Sequence, residues 1–82
     1  MQVPNDQLIR AFWNNKTGLN VEIYYKFLNG VTSKDIAPGQ LLGIGDKQFP
    51  IIEWNTSKES GNPIFTLKGY IPAVERINRL IN

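Results

Sequence analysis

Turn-forming clusters interrupt this chain at short, fairly regular intervals, and that spacing limits its fold more than any other feature. They are Asn14-Asn15-Lys16-Thr17-Gly18, Asn29-Gly30, Pro38-Gly39, Gly45-Asp46 and Ser60-Gly61-Asn62-Pro63. The runs between them suit short strands better than long helices. Composition agrees: Ile, Val and Thr number eighteen against three Ala, and β-branched side chains pack well on a pleated, half-buried surface.

The clearest strand is Leu19–Leu28, where Val21, Ile23, Tyr25 and Phe27 alternate with Glu22, Tyr24 and Lys26. This period-two pattern gives one apolar and one mostly polar face. Asn29-Gly30 then suits a type I′ hairpin into Val31–Ile36. Pro38-Gly39 fits the centre of a type II turn leading to a strand over Leu41–Ile44. Further strands are expected over Phe49–Trp54, with Pro50 at a start, bulge or edge, and over Ile64–Ile71, with Phe65, Leu67 and Ile71 inward and Thr66 and Lys68 outward. Asn55 to Asn62 reads as an exposed loop.

The period changes at both ends. After Pro72, Val74, Ile77 and Ile81 recur at helical spacing, and Glu75 and Arg79 form an i,i+4 pair in the favourable order. A helix of about ten residues is not stable alone, so its apolar stripe docks either on its own sheet, the plainer reading, or in a partner's groove. Near the N-terminus, Leu8, Ile9, Phe12 and Trp13 form a one-sided helical stripe behind Asn5 or Asp6 as N-cap. The same residues alternate acceptably as a strand; the helical reading is slightly favoured. The expected fold is therefore mainly β, α+β by count: a small antiparallel sheet, sandwich or barrel of about five strands, with a short C-terminal helix and a short N-terminal one on the favoured reading. One domain spans residues 1–82.

The residue inventory excludes much chemistry. The 82 residues contain no His and no Cys, which removes thiol catalysis, disulfides, Cys-based zinc sites and His-dependent triads. The carboxylates Glu22, Asp35, Asp46, Glu53, Glu59 and Glu75 show no spacing that pairs two of them, and read as solvated surface charge. Ser33-Lys34 and Ser57-Lys58 are neighbours that point to opposite faces of a strand. The glycine-rich stretch Gly39–Asp46 matches neither the dinucleotide fingerprint nor the Walker loop. Asn15-Lys16-Thr17 and Asn55-Thr56-Ser57 match the glycosylation sequon but read as coincidence that supports surface positions. The expectation is a non-enzyme with no cofactor and no metal.

The formal net charge is +2, with the six Lys spread along the chain, so no basic run marks a nucleic-acid binder. The first residues carry no basic, apolar leader and no run suits a membrane span; the expected location is the cytoplasm, or a virion or host cell for a viral protein. Aromatics are the most interesting class. Gathered on one exposed face, Tyr24, Trp54 and Tyr70 would form a binding patch, with Lys26 and Lys68 interleaved. The helix stripe Val74, Ile77 and Ile81 is the candidate partner-facing surface. The function expected is a non-catalytic protein-binding or assembly module acting as an oligomer, in keeping with a virus or phage structural or accessory protein. The alternatives are a small-ligand or carbohydrate-binding domain and a small β-barrel that stacks bases on its aromatics.

Overall fold

The computed structural model describes Met1–Ile81. Its elements are β1 (Gln2–Val3), β2 (Leu8–Asn14), β3 (Gly18–Ile23), β4 (Leu41–Ile44), β5 (Lys47–Thr56), β6 (Pro63–Leu67) and α1 (Ile71–Arg79), with short 3-10 turns at Asn5–Gln7 and Tyr25–Leu28. The strands form one sheet in the order β1-β4-β5-β6-β3-β2. Every neighbouring pair is antiparallel except β1 with β4. The protein is thus mainly β with one short C-terminal helix, as its turn spacing and β-branched content imply.

Connectivity explains why the sheet curls into a half-barrel. β1 and β2 occupy opposite edges, yet Leu8 follows Val3 after only four intervening residues. That linker spans at most about 18 Å fully extended, and the 3-10 turn, closed by the Gln7 N–H donating to the Pro4 carbonyl at 3.0 Å, shortens it. Six flat strands would separate the edges by about 24 Å. The strip must therefore bend, and its concave side encloses the core. Phe65, Leu19, Val21, Ile23, Leu42, Ile44, Ile51 and Leu67 are buried there. Helix α1 closes the cavity with Ala73 and Ile77, while Ile36 and the half-buried Phe27, Leu28 and Val31 close it from the long loop.

The turns show what the chain does with its glycines. Gly39 (φ +92°) and the Gln40 N–H to Ala37 carbonyl bond of 3.1 Å make Pro38-Gly39 the type II turn expected. In the β4–β5 hairpin, Ile44 pairs with Lys47 across a two-residue loop. Gly45 takes φ +63° at its first position, and a Cβ there would lie 2.9 Å from Leu80 Cδ1. The hairpin tip therefore approaches the end of the helical segment closely.

Several local expectations are corrected. The strand expected over Leu19–Leu28 ends at Ile23, because its neighbour β6 begins at Pro63, which has no N–H to extend the ladder. The next amides go elsewhere: Tyr24 donates to the Gln7 carbonyl at 2.9 Å and Tyr25 to Asn62 Oδ1 at 3.1 Å. Asn29-Gly30 forms no type I′ hairpin. Asn29 has φ −65° and Gly30 φ +80°, with the Val31 N–H donating to the Leu28 carbonyl at 3.1 Å. That is type II geometry, which splays the flanking segments, so Val31–Ile36 forms turns rather than a strand.

The favoured helix over the N-terminal stripe is strand β2 instead. A bulge between Leu8 and Arg10 lets Leu8 and Ala11, three apart, both face the core, whereas Phe12 of the stripe pairs with Asn20 on the outer face. At the other end, β6 stops at Leu67 and Ile71 starts α1 instead of ending a strand, leaving it exposed. Thr66 is buried rather than solvated.

Candidate functional site

The residues singled out from sequence do not converge. Tyr24 is exposed at the end of β3, with Lys26 Nζ 5.7 Å from its ring centroid. Tyr70, also exposed, packs at a tilt on Phe49 (6.4 Å) and accepts a 3.2 Å hydrogen bond from Arg76 Nη1. Trp54 is half-buried and stacks on Phe65 at 5.6 Å. Its register partner is Phe65 itself, so it lies on the core side. Parity with Phe49 and Ile51 places Trp54 outward, but a bulge between Ile51 and Glu53 reverses the alternation. The single exposed patch of Tyr24, Trp54 and Tyr70 is therefore not formed. Lys68 is exposed at the end of β6, where its backbone N–H donates to the Pro50 carbonyl at 2.8 Å.

The helix stripe is spent internally. Ile77 is buried in the protein's own core, and Val74 and Ile81 are partly buried against it. Asn78 fixes the helix to β2: its Nδ2 donates to the Ala11 carbonyl at 3.0 Å and its Oδ1 accepts from the Ala11 N–H at 2.9 Å. The partner-facing reading of Ile77 is thereby corrected, since the helix docks on its own sheet.

One hollow of about 280 Å³ lies beside Tyr24, lined by Asn5, Asp6, Leu8, Ile9 and Ile81, and two others offer more distinctive chemistry. The larger is an apolar groove of about 460 Å³ between the β4–β5 hairpin and the C-terminal helical segment. Ile44, Phe49, Ala73, Ile77 and Leu80 line its apolar part. Lys47, Arg76 and Arg79 supply three cations to its lining against the one carboxylate of Asp46. The sequence held one clue, since Arg76 and Arg79 bracket the buried Ile77 on the helix. Nothing local indicated that the hairpin tip would meet them.

The second region lies on the outer face of β3, β5 and β6. Cross-strand register aligns Asn20 with Thr66 and Thr66 with Glu53, then Glu22 with Ile64 and Ile64 with Asn55. Asn14 and Thr17 from the β2–β3 turn and Thr56 and Ser57 from the end of β5 complete a trough of about 210 Å³. Beside it, Glu22 is buried, contrary to the solvated position expected of it. It accepts hydrogen bonds from Arg10 Nε (2.8 Å), Ser60 Oγ (2.8 Å) and Asn62 Nδ2 (3.4 Å). Burial pushes its carboxyl pKa up, but those hydrogen bonds and the Arg10 charge outweigh it and hold the group below its ordinary value.

Among the described residues no group of three His, Cys, Asp or Glu side chains is placed to hold a metal ion, and no helix is long and apolar enough to cross a membrane. Comparison with protein-family models, with curated proteins and with solved structures finds no match, so the chemistry of these two hollows is the ground for a functional reading.

Proposed function

We propose that the protein is a small non-catalytic binding and assembly module that takes an acidic, apolar segment of a protein partner into the groove between the β4–β5 hairpin and the helical segment. The observation that carries this reading is the pairing of an apolar floor with a rim of three cations and one carboxylate. An apolar anchor side chain supplies affinity in such a groove, and flanking carboxylates meet Lys47 and Arg76. Tyr70 extends the surface through its contacts with Phe49 and Arg76. The lack of His and Cys supports a non-catalytic role, because general acid–base work most often uses His.

Fluorescence anisotropy with labelled peptides tests the reading. The probe is a peptide carrying Leu and Phe flanked by Asp, and the control replaces each Asp with Lys. The acidic peptide is expected to bind, to weaken about tenfold when Arg76→Glu reverses one rim charge, and to weaken further with salt. Equal binding of both peptides, or no effect of Arg76→Glu, overturns the reading. Decanoate saturating the groove while the acidic peptide does not bind would make it a site for small amphiphiles instead. Light scattering of the pure protein shows whether a second copy fills the groove. A dimer broken by Arg76→Glu would replace the foreign partner with self-association.

A further inference from the structure

We propose that the outer-face trough is a second binding site, for a neutral polyhydroxyl ligand of the size of a single sugar ring. It lies on a different face from the groove and rests on separate observations. Its lining is almost wholly hydroxyl and amide: Asn14, Thr17, Asn20, Asn55, Thr56, Ser57 and Thr66, with Glu53 as the one charge and Ile64 as the one apolar side chain. Without a cation in that lining, an anionic ligand has no counter-charge. At about 210 Å³ the trough is smaller than the ~300 Å³ at which sites for drug-sized ligands begin.

The hydroxyl groups of the floor are already oriented. Buried Asn20 donates from Nδ2 to Thr17 Oγ1 at 2.9 Å and to the Gly18 carbonyl at 2.8 Å, and its Oδ1 accepts from Thr66 Oγ1 at 2.9 Å. Thr17 Oγ1 is therefore an acceptor toward Asn20, leaving its proton free for a ligand. Thr66 Oγ1 spends its proton on Asn20 and keeps lone pairs to accept. A fixed donor and a fixed acceptor on one floor match hydroxyl groups, which do both, and a preorganised site loses less entropy on binding. Around this floor Glu53, Asn55 and Thr56 make no side-chain hydrogen bond to the described residues, so their polar atoms are available to ring hydroxyls.

Proton–nitrogen NMR of the full chain, titrated separately with glucose, galactose, mannose and N-acetylglucosamine and then with their dimers, tests this. Saturable shifts confined to Asn20, Asn55, Thr66 and their neighbours are expected for at least one sugar. Asn55→Ala and Glu53→Gln, both at exposed positions, are each expected to weaken that binding about tenfold, while Arg76→Glu in the groove leaves it unchanged. Three outcomes overturn the proposal: no saturable shift with any sugar, shifts centred on the apolar groove, or affinities unaltered in both trough variants. Unchanged spectra of the variants away from the trough confirm that they fold.

Discussion

The two faces of the curled sheet bury their side chains by different means. The concave face is a continuous apolar cluster centred on Phe65, Leu19, Val21 and Ile23. The outer face of β3 and β6 buries Asn20, Glu22 and Thr66, which are the buried polar and charged residues among those described. The first arrangement draws its stability from apolar area removed from water. The second is sustained only because hydrogen bonds satisfy its polar groups, since an unpaired buried one costs about 1–3 kcal/mol. One face is therefore indifferent to pH, while the other contains a titrating group.

The largest effect is expected at the apolar centre. Phe65→Ala, at a fully buried position, is expected to cost about 3–5 kcal/mol in urea denaturation, a large part of the stability of so small a domain. A loss below about 1 kcal/mol would mean that the concave face is not close-packed.

The outer face is expected to yield less and to respond to acid. The folded-state pKa of Glu22 lies below the unfolded reference of 4.5. Its contribution is thus fully present above that reference and is lost as pH falls through the folded value. Glu22→Ala is expected to cost about 1–3 kcal/mol at neutral pH, by removing the acceptor of Arg10, Ser60 and Asn62. The variant's denaturation midpoint is expected to fall less than the wild type's between neutral pH and pH values below 4.5. Parallel acid profiles for the two proteins would remove Glu22 from the account.

How far the sequence anticipated these faces depended on whether chain-local chemistry decided the outcome. The strands over Leu41–Ile44 and Phe49–Trp54, the turn at Pro38-Gly39 and the C-terminal helix were legible because alternation, positive φ and helical spacing are local signals. Two bulges, at Leu8/Arg10 and Ile51/Glu53, were not, since a bulge shows itself only once the partner strand is in place. The first puts Leu8 and Ala11 on one face of β2, and the second puts Trp54 on the core side, so neither placement follows from simple alternation. Glu22 reads as surface charge in isolation. Its burial depends on Ser60 and Asn62, thirty-eight and forty residues away, folding back over it. The groove was hidden for the same reason, because it exists only where the hairpin meets the helix.

At the small end of the scale, Glu75→Ala is expected to change stability by less than about 0.5 kcal/mol. The Arg79–Glu75 bond is short at 2.6 Å, but both side chains are more than two-thirds exposed, so water screens the pair. An effect above about 1 kcal/mol would show that the helix depends on its solvent side and would blur the contrast between buried and exposed polar contacts.

The Asn78 amide carries a consequence for life at high concentration. By meeting both the N–H and the C=O of Ala11, it occupies the edge of β2 as an adjoining strand would. An open strand edge is a template on which other chains aggregate. One side chain, held in place by a docked helix, thus takes up the backbone groups that Ala11 would otherwise offer to another chain.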